Sequence, residues 1–301
     1  MNKVYHVPVL FHESIDAMKL DDGKIFVDVT YGGGGHSKQI LKNISDDSFL
    51  VAFDQDDDAL DNIVEDEKLV FVNANFRFLK NFLKYHELEN VDALLADLGV
   101  SSHQFDEAER GFSIRSTGQL DMRMNQSADL TAFKVVNKYS DKELYRVFNS
   151  YADLKNVGKI VPEIIKSRRE KAIETTADLV GLMEKLVKGK KQNQFLAQIF
   201  QAIRIEVNDE MGALEDMLEQ AADVLKPGGR LVVISYHSIE DRLVKNFIRS
   251  GRFDGKIESD MYGNVEKPLS AVNRKPIVPT DDENGKNSRA RSAKMRVAIK
   301  G

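Results

Sequence analysis

The chain of 301 residues, 42% hydrophobic and with a formal net charge of −5, is long enough for one large domain or two smaller ones. It has no cysteine, which excludes disulfides, a thiolate nucleophile and cysteine-based zinc sites. Because no apolar run approaches the ~18–20 residues of a membrane span and the N-terminus lacks the apolar core of a signal peptide, we expect a soluble cytoplasmic protein.

Strands and helices alternate in the first third of the chain, after a short helical lead-in within residues 1–24. Apolar runs predict strands at 25–29, 49–53, 69–72 and 92–96, and helical spacing predicts helices at 37–43, 59–64 and 76–85. This alternation favours an α/β fold, in which a parallel sheet is covered by helices on both faces. Ligands of such sheets bind outside the carboxyl ends of the strands.

The alternation stops after Asp97. Residues 98–125 are rich in Gly, Ser, Asp and Arg, and helices are then predicted at 140–151, 157–173, 178–188 and 195–207, the first with a capping box of Ser140 and Glu143. This block is too long for a loop, so we expect a helical domain, residues 105–208, inserted into a core of residues 1–104 and 209–301. The core resumes with a helix at 214–225, a strand at 231–235, a helix at 239–249, a loop-rich stretch at 251–286 and a strand at 292–299.

A glycine-rich loop, residues 32–35, follows the first strand and precedes His36. Glycine lets the backbone approach a ligand closely, and the helix that follows offers unpaired N–H groups to an anion. The loop lacks the third glycine of the dinucleotide fingerprint G-x-G-x-x-G, because Ser37 stands at that position. A ligand without a pyrophosphate fits better, such as S-adenosylmethionine (AdoMet), whose anionic end is a carboxylate. The alternative is a flexible glycine turn with no ligand.

Three further side chains are expected at the same edge of the sheet. Asp54 ends the second strand and can accept hydrogen bonds from both ribose hydroxyls of an adenosine, unless it is a helix cap or loop carboxylate. Phe76 follows the third strand and can stack on an adenine, or else it belongs to the core. Asp97 ends the fourth strand.

Positive charge is concentrated in two regions. Residues 155–204 contain 11 Lys/Arg against 5 Asp/Glu, and residues 274–301 contain 8 against 3. Two basic regions on an otherwise acidic chain suggest a polyanionic partner. The alternative is that these residues form solvated helix faces whose imbalance arises by chance.

Nine segments together carry a family resemblance: residues 7–10 (VPVL), 32–36 (GGGGH), 97–102 (DLGVSS), 110–113 (RGFS), 120–123 (LDMR), 200–204 (FQAIR), 207–208 (VN), 235–242 (SYHSIEDR) and 289–292 (RARS). In this order they resemble the bacterial small-subunit ribosomal RNA methyltransferase H family (MraW type), over nearly the whole chain. Departures at His103, Gln119 and Met211 lie at peripheral positions.

The resemblance implies a Rossmann-like class I AdoMet-dependent methyltransferase core with a parallel-rich sheet and an inserted helical domain that presents RNA. It implies N4-methylation of a cytosine in the decoding (P-site) region of 16S ribosomal RNA, within the small ribosomal subunit. The cofactor residues that carry over are Gly34, Gly35, His36, Asp54, Phe76, Asp97 and Gln104. Two other function classes remain as alternatives: an RNA-binding ribosome-assembly factor with a vestigial AdoMet pocket, and a nucleotide-dependent oxidoreductase.

The expected chemistry assigns roles to three residues. The cytosine amino nitrogen is a poor nucleophile, and an acceptor against its N–H groups stabilises the charge that forms on it during methyl transfer. Asp97 is the candidate acceptor, although it can instead bind the methionine moiety. Tyr236 is expected to stack on the base and His237 to contact base or phosphate, unless the two form a turn capped by Ser235 and Ser238. Without a cysteine, the usual route to C5-methylation of cytosine is closed.

The target base must leave its stack to reach such a pocket. The basic side chains expected to hold nearby phosphates are Arg168, Arg169, Lys188, Lys190, Lys191 and Arg204. Arg110, Arg123 and Arg289 can also reach RNA, or can pin loops through carboxylates such as Asp121. No acidic or histidine cluster has the spacing of metal ligands, and no metal site is predicted.

Overall fold

The computed structural model describes residues 8–154, 157–258, 261, 263 and 267–301. The chain divides into two compact units, which we call the sheet unit (Met1–Gly99 and Met211–Gly301) and the helical unit (Val100–Glu210). The limits expected for the insert, 105 and 208, lie a few residues inside those of the helical unit. Val7, the first residue of the motif at 7–10, lies outside the described residues.

Between residues 8 and 97, the described first part of the sheet unit, the chain forms three α-helices and four strands. They are α1 (Phe11–Met18), β1 (Ile25–Asp28), α2 (Gly35–Asn43), β2 (Phe49–Asp54), β3 (Leu69–Asn73), α3 (Leu79–Tyr85) and β4 (Val91–Asp97). All four predicted strands are confirmed. The helix predicted at 59–64 is instead a 3-10 helix, Asp57–Asn62, whose N-terminus is capped by the Asp56 side chain. The helix predicted at 37–43 begins earlier, at Gly35, so that His36 lies in its first turn.

Apart from residues 155 and 156, which are not described, the helical unit contains six α-helices: α4 (Ser102–Asp106), α5 (Ala132–Lys138), α6 (Asp141–Tyr151), α7 (Val157–Glu170), α8 (Thr176–Met183) and α9 (Gln192–Asn208). Helices α6 to α9 were predicted, and the capping box of Ser140 and Glu143 is confirmed. Helices α4 and α5 were not predicted, because both are short. The apolar faces of these helices form one buried core, which includes Val135, Leu144, Ile160 and Ile199.

The chain then returns to the sheet unit with α10 (Glu210–Val224), β5 (Leu225–Ser235), α11 (Ser238–Ser250), β6 (Leu269–Ala271), α12 (Asp281–Lys286) and β7 (Lys294–Lys300). The predicted helices at 214–225 and 239–249 and the strands at 231–235 and 292–299 are confirmed. The stretch 251–286 was expected to be loop-rich, and it holds the short elements β6 and α12 as well.

The seven strands form one sheet in the order β3-β2-β1-β4-β5-β7-β6. Strands β1 to β5 pair in parallel, and β7 pairs antiparallel with both β5 and β6. Phe26, Leu50, Leu94 and Val232 are fully buried, as expected for strands covered on both faces. Among the described residues, no helix combines the length and the apolar character that crossing a membrane requires.

The order of strands places the ligand crevice of this sheet. From β1 the chain moves outward through β2 and β3, and from β4 it moves to the other side through β5. The connections that leave β1 and β4 therefore diverge, and the carboxyl ends of these neighbouring strands border a crevice. The glycine-rich loop follows β1 and Asp97 ends β4, so both lie at this switch point.

Candidate functional site

Asp28, at the carboxyl end of β1, ties three segments of the sheet unit together. Its side chain is 1% exposed, and Ser37 Oγ in α2 donates to its Oδ2 over 2.7 Å. The Thr30 N–H donates to its Oδ1 over 3.0 Å, and Thr30 Oγ1 accepts a hydrogen bond from the Asp97 N–H over 2.7 Å. The ends of β1 and β4 are thus joined through Thr30. Neither Asp28 nor Thr30 was predicted from the sequence, although polar residues at the end of a buried strand could have indicated them.

The glycine-rich loop packs closely enough to need glycine at two positions. Gly34 caps α2 with a φ of +74°, and a Cβ atom there would lie 2.8 Å from Tyr31 Oη. A Cβ atom at Gly35 would lie 2.3 Å from Cγ of Pro8. Both positions therefore require glycine, the first because of its positive φ and both because of close packing. The first N–H groups of α2 point out of this turn without partners inside the helix.

Asp54 fastens the glycine-rich loop to the end of β2. Its Oδ2 accepts from the Gly32 N–H over 2.7 Å, and its Oδ1 accepts from the Asp56 N–H over 2.9 Å. Burial raises the pKa of Asp54 to about 6, and the charges of Asp56 and Asp28 add to this rise. Asp54 does not cap the 3-10 helix, because Asp56 does so. Asp54 is a carboxylate that accepts a hydrogen bond from the glycine-rich loop. Each carboxylate oxygen keeps a second lone pair for a ligand hydroxyl.

Phe76 begins a 3-10 turn, Phe76–Phe78, shortly after β3, and its side chain is half-buried. Asn75 caps this turn by accepting from the Arg77 N–H over 2.9 Å. A partly exposed ring is compatible with stacking on an adenine, whereas a core residue would be buried.

Asp97 and Tyr236 meet where β4 and β5 end. Tyr236 Oη donates to Asp97 Oδ1 over 2.7 Å. Burial raises the pKa of Asp97 to about 7; the charges of Asp28 and Glu240 add to the rise, and the hydrogen bond from Tyr236 opposes it. Burial and the neighbouring Asp97 raise the pKa of Tyr236 well above its ordinary value of 10.0. Asp97 is therefore poised to exchange a proton near neutral pH, while Tyr236 stays a donor.

His36 lies on the other side of Asp97, with its Nδ1 3.7 Å from Asp97 Oδ2. The imidazole is 5% exposed, and burial lowers its pKa to about 4, so the ring is neutral at pH 7. Its Nε2 is buried and has no hydrogen-bond partner within the described part of the chain. A buried polar atom without a partner marks a place where a ligand can bind.

His237 is the N-cap of α11, so this residue itself caps the turn that follows β5. His237 Nδ1 accepts from the Glu240 N–H over 3.3 Å, and its Nε2 lies 3.1 Å from Glu240 Oε1. Glu240 Oε2 accepts from the N–H of Tyr236 over 2.9 Å and from the N–H of His237 over 3.3 Å. Glu240 was not predicted from the sequence, because His stands where the capping box normally has Ser or Thr.

In the helical unit, Gln104 belongs to a capping box at the start of α4. Its Oε1 accepts from the Ser101 N–H over 3.0 Å, and Ser101 Oγ accepts from the Gln104 N–H over 3.2 Å. Gln104 is 5% exposed. A cofactor contact by Gln104 stays a prediction.

The predicted phosphate-binding residues of the helical unit fall into two groups. Those on the surface are Arg169, Lys188, Lys190 and Lys191. Arg168 is half-buried and donates to the Val136 carbonyl over 2.8 Å. Arg204 is 13% exposed, and its guanidinium donates to both carboxylate oxygens of Glu210, over 2.7 and 2.8 Å. Arg204 therefore has a structural partner that its position in the sequence does not reveal.

Two other arginines hold loops of the helical unit, and for Arg123 the predicted alternative of pinning through a carboxylate is confirmed. The Arg123 guanidinium donates to both oxygens of Asp121 over 2.7 Å and to the carbonyls of Gln126 and Ala128. Arg110 is 8% exposed and donates to the carbonyls of Arg123 and Met124.

The residues of the sheet unit fit AdoMet. The cradle at Gly34 and Gly35 leaves no room for side chains, and the unpaired N–H groups of α2 suit a carboxylate. Asp54 suits the ribose hydroxyls. Several carboxylates at the carboxyl ends of β1, β2 and β4 suit the positive charge of a sulfonium and an ammonium group.

Comparison with known proteins identifies the family. A family model described as the MraW methylase family matches residues 3–301. The chain is 52% identical to the ribosomal RNA small subunit methyltransferase H of Phocaeicola vulgatus, over 99% of this chain and 98% of that protein. It is 53% identical to the enzyme of that name from Christiangramia forsetii, over 98% of each. Among solved structures, an rRNA methylase from Streptococcus thermophilus aligns over 98% of both chains with 14% identity and a TM-score of 0.42. The chain therefore belongs to the MraW methylase family and is an AdoMet-dependent methyltransferase.

Proposed function

We propose that this methyltransferase methylates N4 of a cytosine in the decoding (P-site) region of 16S ribosomal RNA, within the small ribosomal subunit. The observation that carries the proposal is the hydrogen bond from Tyr236 to Asp97 beside the glycine cradle. It places a proton acceptor, the Asp97 carboxylate, next to an aromatic ring on which a base can stack. The names of the relatives support ribosomal RNA as the substrate. The proposal places the enzyme in the cytoplasm with that RNA.

Six residues of the sheet unit are proposed to hold the cofactor. Gly34, Gly35 and His36 bind the methionine end, Asp54 the ribose, and Phe76 the adenine. Asp97 is the sixth residue and is proposed to contact the methionine moiety. Bound AdoMet supplies an electrophilic methyl group on a sulfonium sulfur. A neutral His36 offers a hydrogen bond without adding positive charge beside the sulfonium.

Asp97 is proposed to accept a hydrogen bond from the cytosine amino group. Its Oδ1 is taken by Tyr236, and a pKa of about 7 lets a substantial fraction of Asp97 be ionised at neutral pH. The ionised carboxylate favours localisation of the amino lone pair, and it accepts the N4 proton that is lost as the nitrogen–carbon bond forms. The transfer of this proton to Asp97 leaves the methylated nitrogen uncharged.

Tyr236 is proposed to hold the target base against its ring. A Cβ atom at Gly99 would lie 3.3 Å from Tyr236 Cδ2, so the ring packs closely on the segment after β4. The hydroxyl fixes the other end of the side chain. His237 is proposed to shape the turn, since both of its ring nitrogens face Glu240, and its contact with RNA stays a prediction.

RNA phosphates are proposed to bind the exposed basic residues of the helical unit, which are Arg169, Lys188, Lys190 and Lys191. Arg168 and Arg204 already have protein partners and are proposed to contribute less.

Transfer of a labelled methyl group from AdoMet to 16S ribosomal RNA tests the proposal. The wild type should label the RNA, and Asp97→Asn should lower kcat by about 100-fold or more, as for loss of a general base. Asp46→Asn, at an exposed position of the same unit, is the matched control and should keep full activity. AdoMet binding without any labelled RNA would contradict the proposal and favour the alternative, an assembly factor with a vestigial AdoMet pocket.

A further inference from the structure

Glu240 is a buried carboxylate to which the proposed reaction gives no role. It is 2% exposed, although a capping box does not require burial. The acids of the capping boxes of α6 and α8, Glu143 and Asp178, are both exposed. Burying a carboxylate costs free energy unless hydrogen bonds compensate it. The burial of Glu240 therefore calls for an explanation beyond the capping of α11.

We propose that Glu240 is a positioning residue for methyl transfer: its carboxylate holds the backbone of Tyr236 so that the Tyr236 hydroxyl meets Asp97. The inference rests on the proposed function.

The contacts fix Tyr236 at three points. Glu240 Oε2 accepts from its N–H over 2.9 Å, the ring packs close to Gly99, and the hydroxyl donates to Asp97 over 2.7 Å. The same Oε2 accepts from the His237 N–H over 3.3 Å, so one carboxylate orders two successive residues of the turn between β5 and α11. Without this clamp the backbone of the turn gains freedom, and a misplacement of about 1 Å can cost ~100-fold in rate.

The charge of Glu240 also acts on Asp97. Within the part of the chain that the structure describes, the titratable groups near Asp97 include Asp28, His36, Tyr236 and Glu240, and Glu283 is near Tyr236. His36 and Tyr236 are neutral at pH 7, whereas the charges of Asp28 and Glu240 raise the pKa of Asp97. Replacing Glu240 with a neutral residue removes one of these charges and lowers that pKa. If ionised Asp97 is the acceptor, the acid side of the pH–rate profile must then move to lower pH.

The test compares Glu240→Ala, which removes the acceptor, with Glu240→Gln, which removes only the charge, and with Glu240→Asp, in the full-length protein. Glu143→Ala is the matched control, because it removes the acceptor of the capping box of α6. For each variant, the AdoMet affinity, the Tm, and kcat and KM for methyl transfer to 16S ribosomal RNA are measured across a pH series.

We expect Glu240→Ala to bind AdoMet as the wild type does and to lose about 10- to 100-fold in kcat with little change in KM, because it removes the acceptor of the Tyr236 N–H. Glu240→Gln keeps an acceptor for that N–H and should keep most of the kcat, while the loss of charge should move the acid limb of its pH–rate profile to lower pH. Glu240→Asp keeps the charge and should keep the limb in place, but its shorter side chain should lower kcat. Glu143→Ala should change the Tm alone.

A Glu240→Ala variant with the kcat of the wild type would overturn the inference. If that variant does not fold, Glu240→Asp decides, and an unchanged kcat there overturns the inference as well. A wild type that binds AdoMet but methylates no cytosine would overturn the proposed function and this inference with it. A wild type that methylates cytosine, with an unchanged Glu240→Ala, would overturn the inference alone.

Discussion

Replacing Asp97 with asparagine should stabilise the protein above neutral pH while it lowers methyl transfer. Asp97 is only 20% exposed and shares its surroundings with the negative charges of Asp28 and Glu240. Ionising Asp97 in the folded protein is therefore unfavourable. Asparagine has no proton to lose, and its side-chain oxygen can still accept the hydrogen bond from Tyr236.

The magnitude follows from the pKa of Asp97, which rises from its ordinary value of 3.8 to about 7 in the folded protein. At 1.36 kcal/mol per pH unit, this difference corresponds to about 4 kcal/mol. The folded state binds the proton more tightly than the unfolded state does. The contribution of Asp97 to stability is therefore complete below a pH of about 4 and is lost as the pH rises to about 7.

Urea denaturation of both proteins without AdoMet, at several pH values, measures this effect. The free energy of unfolding of Asp97→Asn minus that of the wild type should grow by up to about 4 kcal/mol between about pH 4 and about pH 8. A difference that does not change with pH, or one that shrinks as the pH rises, would refute the reasoning.

Three further predictions concern the site and the RNA surface. Tyr236→Phe removes a hydrogen bond that lowers the pKa of Asp97, so kcat should fall about 10-fold and the acid limb of the pH–rate profile should move to higher pH, as steady-state kinetics across pH would show. An acid limb that stays in place would count against the coupling of Tyr236 to Asp97. Ser37→Ala removes the 2.7 Å hydrogen bond to the buried Asp28 and should lower the free energy of unfolding by about 1–3 kcal/mol in urea denaturation; an unchanged stability would mean that Asp28 finds another donor. Replacing Lys188, Lys190 and Lys191 with alanine should reduce the slope of log affinity against log salt by about 0.7 for each lost contact with single-stranded RNA, measured by RNA binding at several salt concentrations, and an unchanged slope would place the phosphates elsewhere.

The sequence predicted the sheet well, because its strands are buried on both faces and read as continuous apolar runs. The strand at 231–235 was found in this way, whereas the final strand at 292–299 was found from its alternating apolar and polar residues. Short elements were harder: α5 and α12 are helices of 7 and 6 residues, too short to show a clear helical period. The sequence predicts an α-helix where the 3-10 helix Asp57–Asn62 lies, because the spacing of apolar residues over so short a segment fits either type of helix.

The site was predicted where a general rule of parallel sheets applied, and missed where only contacts could show it. The carboxyl ends of strands pointed to Asp54, Asp97 and Tyr236. The role of Thr30 depends on a hydrogen bond from a residue 67 positions away, which no local pattern reveals. Arg204 was counted as a positive charge, but its pairing with Glu210 appears only in the fold.

Nucleoside mass spectrometry tests the central claim most directly. The protein and AdoMet are incubated with unmodified small ribosomal subunits and, separately, with their naked RNA. The account predicts N4-methylcytidine at one site, formed by the wild type and strongly reduced with Asp97→Asn. Methylation at C5, methylation of another base, or no methylated nucleoside despite AdoMet binding would contradict it.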